Sequence, residues 1–160
     1  MRTLIIHNPK SGFGSDAIFE FERALLSPGD KCDFLMTDEE KQAFVAAEPG
    51  AAALVKPFIG AHEYLHNEKR WVLWLVDADP AALKKLPKVM ARVDAVDRFR
   101  KASKAATTRS YPYPTLFRQV TQPKSDYVLV PRHSSENRAY VPMGFFGKES
   151  IVADSCNSIP

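Results

Sequence analysis

His62-Glu63-Tyr64-Leu65-His66 spells H-E-x-x-H, the pattern that sets two imidazoles on one helical face with a carboxylate beside them to activate metal-bound water. Zinc chemistry of that kind needs a well-formed helix under both histidines and a further ligand downstream. Here Gly60 precedes the pair, Asn67 and the strand-like RWVLWLV follow at once, and the next histidine is His133 in a polar stretch. A hairpin leading through HNEK into the Trp71 strand fits these residues as well and requires no metal. A zinc-dependent hydrolase using His62, Glu63 and His66 is therefore the alternative reading, and the favoured one assigns no metal.

Other catalytic constellations fall short. LIIHNPKSGFGS could run from a strand into a phosphate-cradling turn, and it resembles the N-P-x-S-G signature of lipid and diacylglycerol kinases. Those enzymes need a second glycine-rich element, which is missing, as is GxxxxGK[ST]; a plain turn with glycines at positive φ suffices. Asp33 with Glu39-x-Lys41 is weaker than a nuclease cluster, and no G-x-S-x-G elbow exists.

Charge is more informative. The net charge is +3, yet residues 84–140 hold 13 basic against 4 acidic side chains while residues 1–83 hold 8 against 13. Such concentration suits a polyanion, although Lys and Arg stems also cover apolar surface on an ordinary helix. Within it, RKASKAATTR alternates cations with small hydroxyl residues, and hydroxyls bond phosphate oxygens without crowding. Lys101, Ser103, Lys104, Thr107, Thr108 and Arg109 are the candidate phosphate contacts. The loop RHSSENR adds Arg132, Ser135, Asn137 and Arg138, side chains able to read base edges in a major groove, against the plainer reading of a polar hairpin tip.

The elements that must position these residues follow from pattern. Thr37 with Glu40 three residues on predicts a capping box and a helix over TDEEKQAF, interrupted at Pro49-Gly50. AAALVKPF can form another short helical turn. RWVLWLV is apolar on both faces, as in a central strand. Asp79-Pro80 predicts a helix start, and Pro87 a break before a long helix to about Ala105. Leu86, Met90, Val93, Val96 and Phe99 form its expected buried stripe. DYVLVP, AYVPMGFF and SIVADSCNSIP read as later strands. The expected fold is α/β: one mixed sheet, with the Trp71–Val76 and Tyr127–Val130 strands near its centre, packed by one long and several short helices in a single domain. No apolar run reaches the roughly 20 residues of a membrane span. Cys32 and Cys156, far apart and without CxxC spacing, are expected to be free thiols of a cytoplasmic protein.

VKPFIGAHEYL…RWVLWLV, FRKASKAATTR…PTLF, QPKSDYVLVPRHSSENRAYVPMGFF and IVADSCNSIP together resemble the target-recognition region of MmeI-type (type IIG/IIL) restriction–modification DNA methyltransferases. The likeness covers roughly residues 37–160, leaving 1–36 as a connector, with NPKSGFGS only weakly similar to a family Pro-Lys…Phe-Gly segment. That family fuses an endonuclease, an adenine-specific N6 methyltransferase and a DNA-reading domain in one polypeptide. The resemblance implies double-stranded DNA as partner, together with the methyltransferase domain of the same parent polypeptide, and no membrane. It implies S-adenosylmethionine in that parent domain and no cofactor in this chain. It gives no zinc role to His62 or His66. A [DN]-P-P-[YFW] motif is absent, Asn8-Pro9-Lys10-Ser11 being no substitute, so this chain alone is expected neither to methylate nor to cut. The family domain is expected to continue past Pro160.

Overall fold

The computed structural model describes residues 34–117, 120, 122–134 and 138–160; the strand and turns expected before residue 34, and Cys32, lie outside the described residues. Strand β1 (Leu35–Met36) leads into helix α1 (Asp38–Ala47). The capping box forms: the Glu40 N–H donates to Thr37 Oγ1 at 3.2 Å, and the Thr37 N–H donates to the Glu40 carboxylate at 2.9 Å. Pro49 cannot continue a helix. A 3-10 turn, Pro49–Leu54, carries the chain into β2 (Val55–Ile59) instead.

Helix α2 (Ala61–His66) follows, then β3 (Arg70–Leu73). So HEYLH is a short helix, not the arm of a hairpin. Asn67 closes it in the left-handed conformation (φ 56°), and asparagine is among the residues that tolerate that region best. β3 lies between β1 and β2, antiparallel to both, and β2 pairs in parallel with β6 (Ile151–Val152). Successive Val72 and Leu73 are both fully buried, which is what apolarity on both faces of a strand requires. At the sheet edge the Gln122 side chain both donates to and accepts from the Val152 backbone (3.0 and 2.8 Å), covering groups an edge would expose.

The second half departs from the single expected sheet. β4 (Tyr127–Pro131) is central, as foreseen, but in a separate antiparallel sheet of order β5-β4-β7, with β5 at Gly144–Phe146 and β7 at Cys156–Ile159. The last segment accordingly forms two strands in two sheets, divided at Ala153–Ser155. Ser155 ties the sheets at that division: its hydroxyl accepts from the Ala61 N–H (3.0 Å) and its carbonyl from the Arg132 N–H (2.9 Å). Two cores result. The larger gathers Phe34, Val72, Leu73, Val89 and Val93; the smaller gathers Tyr127, Leu129 and Cys156 with Ile59, Tyr64 and Val152 packed on them. Cys156 is buried in the smaller core. Burial pushes the Tyr127 phenol up to about 12, with Cys156 acting in the same direction, so it stays neutral and donates to the Ser150 carbonyl at 2.9 Å.

Asp79 caps α3 (Pro80–Leu83) through the Ala81 N–H at 3.0 Å. The long helix α4 (Pro87–Ala102) starts at Pro87, where Leu86 supplies no side-chain cap. Buried Glu48 caps it from across the fold: its two carboxylate oxygens accept from the Lys88 N–H (3.0 Å) and the Val89 N–H (2.9 Å). The helix buries Val89, Val93, Val96 and Arg100, with Leu86 and Met90 packed beside them. Phe99, expected inside, is 45% exposed; Arg100, the first cation of RKASKAATTR, is 4% exposed. The expected stripe thus holds as far as Val96 and fails in the last turn. The cause lies in the segment that follows it.

Candidate nucleic-acid interface

Beyond α4 the chain makes a short helix, α5 (Ala106–Arg109), then returns to the larger core at Phe117. Phe117 stacks on Trp74 (5.4 Å between centroids) and meets the edge of Phe34 (5.7 Å). Residues 103–117 therefore form a strap fixed at both ends. Pro112 and Pro114 keep part of it extended, and a turn follows in which the Leu116 N–H donates to the Tyr113 carbonyl at 3.2 Å. Arg100 holds that turn: its guanidinium donates to the Tyr113 carbonyl at 2.7 Å and the Leu116 carbonyl at 2.8 Å, and lies 5.1 Å from the Tyr111 ring centre. The Tyr111 hydroxyl donates to the Phe117 carbonyl at 3.1 Å.

The strap and the end of α4 carry all six expected phosphate contacts. Arg109 draws three of them together, its Nη1 donating to the Ser103 carbonyl (2.7 Å) and the Lys104 carbonyl (2.6 Å). Lys104 and Thr107 are exposed; Thr108 and Ser103 are half-buried. The Ser103 hydroxyl accepts from the Ala105 N–H at 3.2 Å. Lys101 is exposed but ion-paired with Asp97 at 2.5 Å, one turn earlier, so a phosphate must compete with that carboxylate.

The expected base-reading loop leaves β4 at Pro131. Arg132 is already engaged: its Nη2 lies 2.7 Å from Asp154, its Nε donates to Asn157 at 3.4 Å, and its N–H is held by Ser155. Nothing in the sequence signals these partners, because they lie more than 20 residues away, in the turn between β6 and β7 and on β7 itself. Arg138 is exposed. Ser135 and Asn137 lie outside the described residues. The same region displays Tyr140, Val141, Met143 and Phe145, with Tyr140 87% and Phe145 89% exposed. Phe145 sits opposite Val128, and Val128 opposite Ile159, so an apolar row crosses the outer face of the second sheet.

HEYLH is otherwise employed. Glu63 is 2% exposed; one carboxylate oxygen accepts from the Gly60 N–H at 3.1 Å and the other lies 3.3 Å from Arg70 Nε, close enough for an ion pair but not aligned for a hydrogen bond. A Cβ on Gly60 would come within 2.6 Å of that carboxylate, so only glycine fits there without displacement. His62 lies 3.4 Å from Glu68, and His66 Nδ1 faces the His62 carbonyl at 2.9 Å. The carboxylate is thus a helix cap turned into the fold rather than a base beside two ligands. Among the described residues, no group of three or more His, Cys, Asp and Glu side chains could hold a metal ion, and no helix is long and apolar enough to cross a membrane.

A small α/β module that holds a cation-bearing strap and an arginine-bearing loop has the character of a target-recognition domain. The chain belongs to the family described as MmeI, target recognition domain, whose model matches residues 24–160. It is 30% identical over 128 residues to DNA methyltransferase A of Bacillus subtilis (strain 168), covering 79% of this chain and 15% of that protein. It also superposes, with a TM-score of 0.78 and 40% identity, on the solved structure of the Type IIL restriction-modification enzyme MmeI in complex with DNA, over 83% of this chain and 18% of that one. The chain therefore spans less than a fifth of either relative.

Proposed function

We propose that this chain grips and reads duplex DNA on behalf of an adenine N6 methyltransferase domain in the same parent restriction–modification polypeptide, in the cytoplasm. The observation that carries this reading is the 40% identity to part of an enzyme solved on DNA. Residues 37–160 act as the recognition module together with Phe34–Met36, which pack in its larger core and pair with β3, and the residues before them act as its connector. Lys101, Ser103, Lys104, Thr107, Thr108 and Arg109 meet phosphates; Arg132, Ser135, Asn137 and Arg138 face base edges. Exposed Lys104 is the foremost phosphate contact. Arg138 is the foremost base reader, since Arg132 is committed to Asp154 and Asn157. S-adenosylmethionine belongs to the methyltransferase domain of the parent.

Salt-dependent binding to labelled duplexes tests the assignment. Lys104→Ala weakens binding to every sequence and reduces the slope of log K against log salt by about one unit. Arg138→Ala costs about 1–3 kcal/mol on the preferred duplex and relaxes preference at one base pair. Affinity unchanged by both substitutions at moderate salt would overturn the reading.

A further inference from the structure

We propose that Arg100 is a positioning residue for DNA binding: buried and out of reach of phosphate, it ties the strap to the end of the long helix so that Lys104 and Arg109 meet the duplex together. The inference rests on the DNA-binding reading above. Three observations carry it. Arg100 is 4% exposed although it lies in the most cationic part of the sequence, so its charge faces the fold. Its planar fork spans two carbonyls three residues apart, at 2.7 and 2.8 Å, a geometry that a lysine ammonium, a single point donor, cannot reproduce. Those carbonyls belong to the strap whose outer turn holds Lys104 and Arg109, joined by the Arg109 bonds to the Ser103 and Lys104 carbonyls.

A cation fixed in place releases counterions along with its neighbours, whereas cations on a loosened strap engage singly and incompletely. Removing the tie therefore changes the number of phosphates neutralised, although the tie itself neutralises none. That consequence separates positioning from mere stabilisation of the fold.

The test is Arg100→Lys in the 160-residue chain, which preserves net charge, measured by fluorescence anisotropy on a random-sequence duplex across a salt series. The salt slope is expected to fall by more than one unit, and affinity at about 0.1 M salt by about tenfold. Amide exchange is expected to speed up in residues 103–117 and to stay unchanged in β2 and β3. A folded variant with an unaltered slope, whether affinity drops or holds, overturns the proposal. Wild-type chain that binds no duplex at low salt instead defeats the DNA-binding reading itself. Should Arg100→Lys fail to fold, Tyr111→Leu takes its place with the same expectations, since it removes the ring beside the guanidinium and the hydroxyl bond to Phe117.

Discussion

Glu48→Ala removes a helix cap that is supplied from 40 residues away. The two N–H groups it satisfies, on Lys88 and Val89, are donors that the first turn of any helix leaves open. Leu86 has no side chain to replace it. Hydrogen bonds to a charged acceptor contribute about 1.5–3 kcal/mol each. The Val89 bond is buried and warrants the upper part of that range, whereas water can reach the Lys88 N–H once the carboxylate is gone. The favourable interaction of the carboxylate with the positive helix end is lost as well. The total is about 3 kcal/mol, equivalent to roughly 10 °C in Tm for a domain of this size. Glu48→Gln keeps one acceptor but turns an amide N–H toward the second donor, so it is expected to cost about 2 kcal/mol. Equilibrium urea unfolding followed by far-ultraviolet circular dichroism reads both values. A loss below about 1 kcal/mol in Glu48→Ala would show that the long helix does not depend on this cap.

Three further outcomes follow from the same geometry. Glu63→Ala is expected to destabilise by about 3 kcal/mol, because it leaves the Gly60 N–H and Arg70 without their buried partner, while His62→Ala stays within about 0.5 kcal/mol; similar losses in urea unfolding would contradict the capping role of HEYLH. The Tyr127 phenol is raised to about 12 in the fold against 10.0 in its ordinary state, so its contribution is complete below pH 10 and is lost as pH rises from 10 toward 12. Stability should decline there by at most about 1.4 kcal/mol per pH unit, and Tyr127→Phe should abolish that part of the decline in pH-dependent unfolding. Arg132 and Asp154 are each more than 40% exposed, so a double-mutant cycle on stability is expected to return a coupling below about 1 kcal/mol despite their 2.7 Å separation.

Local chemistry determined much of this molecule from sequence alone. The Thr37–Glu40 box, the Asp79-Pro80 start, the break at Pro87 and the buried strand at Trp71 depend on residues within a few positions of one another, and each formed where its spacing predicts, the strand closing at Leu73 rather than Val76. The resemblance carried by FRKASKAATTR and PRHSSENRAYVPMGFF likewise sufficed to reach the recognition-domain family. Tertiary structure decided what those patterns leave open. Periodicity admits Phe99 or Arg100 as the inward residue at the end of α4; the Tyr113 and Leu116 carbonyls of a proline-held strap, which accept from the guanidinium, selected the arginine. The spelling HEYLH admits a ligand pair or a cap; the neighbouring Gly60 N–H and Arg70 chose the cap. Arg132 reads from sequence as a candidate base reader, yet Asp154 and Asn157 reach it from β7 and the turn before it. A side chain's donors and acceptors are written in the sequence, but its partner is whichever complementary group the folded chain brings within hydrogen-bonding distance.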